Sequence, residues 1–310
     1  MNFLRIKFII PSYNSFLIKG DQQLTLNLEQ GSLIFRISTS EAAMFRSYTL
    51  KSNDFDFHIS EETVQKIIDS LYFLCIEFDI GILINPDFKF SWFSESILAE
   101  IKSKKGISIE NDFIGASLVP SGTDFIGSNP VTLSSKLNLP RFEGLLNKYV
   151  RLRLRKTEKL IRAIEIYNSS NYLTRTNQSG RFILLMSALE SLIDQPKVSR
   201  KLQVSLDAYI KRVKNLKLGT EEKDSIVGSI SFLKKVSIKR SGKELVERLI
   251  DSEKRYNYFG ASTFFSKAYD LRSNFVHNGI TKTKYLNIKT IQMHDFVKDI
   301  LKAYFEKICC

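Results

Sequence analysis

Cysteine is scarce in this chain of 310 residues: Cys75 and the terminal pair Cys309 and Cys310 are all it has. Three thiols cannot build a disulfide framework, and adjacent cysteines are badly placed to bridge each other. The chain reads as one that folds under reducing conditions and is expected to be cytoplasmic, with Cys309-Cys310 taken as two end thiols rather than a lipid attachment site. Long apolar runs are missing too. Even Leu71 to Ile84 is interrupted by Glu77 and Asp79, so no membrane span is expected. Met1 to Pro11 alternates apolar residues with Arg5 and Lys7 and lacks a signal-peptide core and cleavage site, so it reads as a strand. Nor is there a His-Glu-x-x-His, a Cys-x-x-Cys, a Gly-x-x-x-x-Gly-Lys loop or a dinucleotide glycine fingerprint. No metal or cofactor is expected, and His58 and His294 read as surface or core residues.

Acidic charge is short in the second half only. Residues 1–140 carry 12 Lys+Arg against 16 Asp+Glu, a net of −4, while residues 141–310 carry the remaining 34 against 17, a net of +17. The basic half is the one suited to meet a polyanion. A cluster at its start, Arg151, Arg153, Arg155, Lys156, Lys159 and Arg162, is a candidate backbone-binding surface or an ordinary solvated face; Arg151, Arg153, Arg155 and Lys156 are taken as candidate RNA contacts.

Patterning predicts an α+β chain with a boundary near Pro140, giving domains 1–140 and 141–310. The period of two and β-branched content predict strands over Asn2–Ile10, Leu24–Leu28, Ser32–Ser38, Tyr48–Lys51, Phe55–Ile59, Gly81–Ile84 and Lys89–Phe93. One helix is predicted from the cap Ser60 onward, on the stripe Val64, Ile67, Ile68, Leu71 and Leu74. Gly115 to Pro140, rich in Gly, Pro, Ser and Asn, reads as loop. Beyond it prolines vanish except Pro196, and helical periodicity predicts an all-α bundle over Glu158–Tyr167, Ser179–Ile193, Val198–Leu216, Glu221–Val236, Lys243–Lys254, Ala261–Val276 and Leu286–Ile308. The Ala261–Val276 helix is expected to bury Phe264, Phe265, Ala268, Leu271 and Phe275.

At the end of that helix stand Arg272 and His277. Arginine is a permanent cation matched to phosphate, and histidine trades protons near neutral pH. Gly279 suits a helix-ending position, and a histidine in a last turn is favoured by the helix dipole, so a plain cap accounts for the same residues. Five residues at about 100° each leave the pair about 140° apart on an ideal helix, so convergence calls for the helix to bend or end near Asn274–Asn278. Glu190 lies on the shoulder of the Ser179–Ile193 stripe and can orient Arg272 or His277, or pair locally; a half-buried carboxylate needs a cation.

Three segments in order, Glu158 to Tyr167, Arg181 to Leu192, and Leu271-Arg272-Ser273-Asn274-Phe275-Val276-His277-Asn278-Gly279, resemble the successive helices of an HEPN domain, in particular its ApeA-like branch. The resemblance covers the region from about Lys148 to the end. It implies a helical bundle that pairs as a symmetric dimer, with Arg272 and His277 as the catalytic pair of a metal-independent endoribonuclease. Ser273 and Asn274 match polar positions after the arginine, and Glu190 a supporting carboxylate. The tyrosine that a related arrangement carries two residues past the histidine is Gly279 here, so no nucleotidyltransferase partner is implied. The implied setting is a prokaryotic antiphage defence or toxin effector acting on RNA, tRNA among the candidate substrates, with the first domain as sensor or restraint of unmatched family and unknown ligand. Two other readings compete: a non-catalytic RNA-binding or dimerisation module, and an interaction scaffold in which the acidic half of one chain covers the basic half of another.

Overall fold

A computed structural model describes residues 1–11, 22–42, 45–84, 94–105, 108–111, 114–126, 139–151, 158–173, 177–278 and 288–309. The fold is α+β, with a five-stranded sheet in the N-terminal region and a helical C-terminal half. Two compact units share the chain: residues 1–155 with 168–175, and residues 156–167 with 176–309.

The first unit contains β1 (Asn2–Pro11), β2 (Gln22–Asn27), β3 (Ser32–Ala42), β4 (Phe45–Ser52), α1 (Glu61–Phe78), α2 (Glu95–Lys105), β5 (Ser108–Asn111), β6 (Gly115–Pro120), β7 (Thr123–Ile126) and α3 (Leu139–Arg151). Its main sheet is antiparallel in the order β2-β3-β4-β1-β6. Alternation puts Leu4, Ile6, Leu24, Phe35 and Leu50 on one buried face. The outer edge of β2 is closed by α3: the Thr25 and Asn27 amides donate to Glu143 Oε2 at 3.1 Å and Asn147 Oδ1 at 2.8 Å. A covered edge cannot recruit a foreign strand.

Four of the expected strands are present, three with extended bounds and β2 shifted, starting at Gln22 and ending at Asn27, one residue before the expected Leu28. Phe55–Ile59 and Gly81–Ile84 are not strands; each makes a single bridge, Phe55 with Asn2 and Leu83 with Ile9. The second segment has another partner. Asn168, 5% exposed, accepts the Ile82 amide at 2.6 Å and returns its own amide to the Ile82 carbonyl, and Asn171 donates to the Ile80 carbonyl at 3.1 Å. The Cys75 thiol also points at Asn168 Oδ1, at 3.3 Å, and burial pushes its pKa up. Lys89–Phe93 lies outside the described residues.

Gly115 to Pro140 is not the continuous loop that its composition suggests. Gly115 opens β6, Gly122 (φ 82°) makes the turn into β7, and Pro120 ends β6 at the sheet edge, where a missing N–H breaks no ladder. Two helices were also hidden in sequence, α2 and α3. Because α3 buries Phe142, Leu146 and Tyr149 within the first unit, that unit runs past Pro140 to residue 155.

The remaining elements are α4 (Glu158–Tyr172), α5 (Gln178–Leu192), α6 (Arg200–Lys214), α7 (Thr220–Phe232), α8 (Ile238–Leu249), β8 (Arg255–Tyr256), β9 (Phe259–Gly260), α9 (Ala261–Asn278) and α10 (Thr290–Tyr304), the last continuing as a π-helical turn, Phe305–Cys309. Residues 158–167 of α4 count with the second unit and its last turn with the first. Asn177 caps α5 by accepting the Gly180 amide at 2.8 Å, and Ser237 caps α8. The core of the second unit gathers Phe182, Leu185, Leu189, Phe264, Phe265, Ala268, Phe296 and Ile300. His294 belongs to it, 4% exposed and hydrogen-bonded to Tyr167 at 2.8 Å, whereas His58 is exposed. The second unit is not wholly helical: β8 and β9 form a ribbon whose tight turn holds Asn257 and Tyr258 at φ 47° and 69°.

Candidate functional site

Packing between α8 and α9 places the motif. Gly242 of α8 is so close to α9 that a Cβ there would stand 2.2 Å from Phe265 Cζ and 2.8 Å from Ile193 Cδ1. On α9 the face Phe264, Phe265, Ala268 and Leu271 is buried, as the periodicity predicts; Phe275 is only half-buried and Val276 is 50% exposed. The helix therefore enters the core at its start and leaves it at its motif end.

Arg272 lies one residue beyond Leu271, on the shoulder of the buried stripe. Its Nη2 stands 3.3 Å from Glu190 Oε2 of α5, and the side chains are 26% and 18% exposed. Each partner keeps a buried polar atom without a hydrogen bond, Arg272 Nε and Glu190 Oε1. Burial pushes the Glu190 carboxyl above the usual range, with the Arg272 charge only partly opposing it. The pair is thus a cation braced by a carboxylate whose charge the site itself disfavours. Such an arrangement holds a guanidinium in place and leaves it with donors to spare for an anion.

The other expected residues fall as follows. Ser273 is half-buried and Asn274 exposed, and neither makes a side-chain hydrogen bond among the described residues. The backbone of His277 lies inside α9, which runs unbroken to Asn278; its side chain is outside the described residues. α9 runs to Asn278, an end within the Asn274–Asn278 stretch where one was expected, but residues 272 and 277 both fall inside the helix, and on an ideal helix those positions stand about 140° apart around the axis. Arg151 is exposed at the end of α3, while Arg153, Arg155 and Lys156 lie outside the described residues. Lys159 pairs with Asp194, and Arg162 is exposed.

One neighbour escaped the sequence reading. Lys239 of α8 reaches both carboxylate oxygens of Asp270 at 2.7 Å, offsetting the negative charge two residues before Arg272. Nothing local marks it, since Lys239 and Asp270 meet only through helix packing. No group of three or more metal-ligating side chains occurs among the described residues, and no helix there is long and apolar enough to cross a membrane. No family model, no curated protein and no solved structure matches the chain.

Proposed function

We propose that the chain is a metal-independent endoribonuclease of HEPN type, acting as a homodimer through its helical unit. The observation that carries the reading is Arg272, half-buried, braced by Glu190 and retaining unsatisfied donor capacity at the exposed end of α9. The +17 net charge of residues 141–310 supports RNA as the polyanion, and the dimer is inferred from the resemblance.

In the proposed reaction His277 takes the proton of a ribose 2′-hydroxyl, and O2′ attacks the adjacent phosphorus. The bond to O5′ breaks, leaving a 2′,3′-cyclic phosphate; the departing oxygen takes a proton from solvent and becomes a 5′-hydroxyl. Arg272 holds the nonbridging oxygens as charge grows on them. DNA lacks the nucleophile and is not cut. The biological setting we infer from the resemblance is a prokaryotic antiphage defence or toxin effector that halts growth by cleaving cellular RNA.

Incubating purified protein with total RNA and with tRNA, alone and as Arg272→Ala and His277→Ala, tests this. Cleavage with 2′,3′-cyclic phosphate ends, lost in both variants, is the expected result; cutting that survives His277→Ala refutes the assignment. The unbroken course of α9 favours a second reading, in which Arg272 is a phosphate anchor of a non-catalytic RNA-binding or dimerisation module. On that reading RNA is bound with a steep salt dependence, never cut, and His277→Ala changes nothing.

A further inference from the structure

The main sheet of the first unit carries an unexplained row of cations. Cross-strand register aligns Gln23, Arg36, Lys51, Arg5 and Ser117 across β2, β3, β4, β1 and β6. Arg5 is 2% exposed, its guanidinium 4.1 Å from the centre of the Phe125 ring. Arg36 and Lys51 are exposed and directly paired, with Cα atoms roughly 5 Å apart as in any such pair. Neither makes an ion pair or a side-chain hydrogen bond among the described residues. Like charges opposite each other on a sheet are destabilising, so this pairing is a cost to the fold.

Both residues line a hollow of about 480 Å³. Phe3 is its apolar base, 1% exposed with the Lys51 ammonium 4.3 Å from the ring centre, and Ile34 is an apolar wall, 41% exposed. Asn53 and Asp54 also line it: Asn53 Oδ1 accepts the Ile34 amide at 3.0 Å, leaving its NH₂ to donate, and Asp54 Oδ2 accepts from Ser121 Oγ at 2.8 Å, leaving Oδ1 to accept.

We propose that this hollow binds a phosphate-bearing small molecule of nucleotide size. The arginine presents a planar donor fork to phosphate oxygens, and the lysine beside it adds a point charge. Ile34 gives a ring an apolar wall, Asp54 accepts from sugar hydroxyls, and the volume is that of a small-ligand site. A nucleic-acid strand fits less well. Residues 1–140 are net acidic, 12 Lys+Arg against 16 Asp+Glu, which repels a long polyanion. The ring in the hollow, Phe3, is buried, so it offers no platform for stacking successive bases.

Calorimetric titration of the full chain with the ribonucleoside 5′-monophosphates, the unphosphorylated nucleosides, inorganic phosphate and a short single-stranded DNA oligonucleotide tests the proposal. At least one monophosphate binds saturably and more tightly than its nucleoside and than phosphate. The double change Arg36→Gln with Lys51→Gln weakens it by at least about tenfold, a change in ΔG of ~1.4 kcal/mol, with no loss of melting temperature. Arg272→Ala leaves that binding unchanged, so it stands or falls separately from the nuclease reading. The proposal is overturned by absence of saturable monophosphate binding, by binding indifferent to the double change, by inorganic phosphate binding as tightly, or by the oligonucleotide binding where monophosphates do not.

Discussion

Replacing Glu190 by glutamine separates a structural ion pair from a functional one. At 3.3 Å and an effective dielectric of about 20, the attraction between Glu190 and Arg272 is of order 5 kcal/mol. Taking a carboxylate out of water costs several kcal/mol per ion even after relaxation, and here Glu190 is 18% exposed with one oxygen buried and unpartnered. The two terms nearly cancel, and the raised Glu190 pKa says that burial has the upper hand. Glutamine keeps an acceptor for Arg272 without the ionisation penalty. Glu190→Gln is therefore expected to change stability at neutral pH by no more than about 1 kcal/mol in either direction, and to lower any RNA-cleaving activity by loosening Arg272. The pH dependence has a definite sign. A carboxyl whose folded pKa is raised contributes stability that is complete below its unfolded pKa and is lost as pH rises through the folded value, so the variant should gain on the wild type from about pH 4.5 upward. Urea denaturation at a series of pH values reads the difference directly. A loss of more than about 3 kcal/mol, independent of pH, would refute the reasoning and make the pair a structural one.

Three further changes test packing within each unit. Gly242→Ala drives a methyl into Phe265, which is 1% exposed and has little room to retreat, and should cost about 1–3 kcal/mol by thermal denaturation. Gly228→Ala on α7, whose added methyl meets nothing within 4 Å, should instead stabilise by up to ~1 kcal/mol through helix propensity. In the first unit, Asn168→Ala strands the buried amide and carbonyl of Ile82, and a loss of about 2–5 kcal/mol is expected; protection of the Ile82 amide from hydrogen exchange that survives the change would contradict that account.

What sequence could and could not disclose follows from the range of the interactions. Strands β1 to β4 and helices α4 to α9 were legible because their periodicity is local, and Ser60, predicted to cap α1, does accept the Thr63 amide at 3.2 Å. Gly81–Ile84 has strand composition, yet its backbone is satisfied by Asn168 and Asn171, far along the chain, and no window of neighbouring residues contains that information. Gly122 and Pro120 argued against strands and in fact mark a turn and an edge. The proximity of Glu190 to Arg272 could be guessed because each sits on the shoulder of an apolar stripe, so two packed helices bring the shoulders together. Lys239 carries no such mark, and the cationic row on the sheet emerges only when the cross-strand register is known.

The unbroken α9 bears on how a nuclease site would be assembled. With about 140° between positions 272 and 277 on one helix, a single phosphodiester is more readily flanked by Arg272 of one protomer and His277 of its partner than by both from one chain. A two-fold dimer then has two composite sites. Combine Arg272→Ala chains with His277→Ala chains, each inactive alone, and in the heterodimer one site loses both groups while the other keeps both. Differently tagged chains, co-expressed and purified through both tags, should therefore regain about half of wild-type cleavage per dimer. A heterodimer as inactive as its parents would place both groups in one chain, and failure to recover any heterodimer would remove the dimer on which the composite site depends.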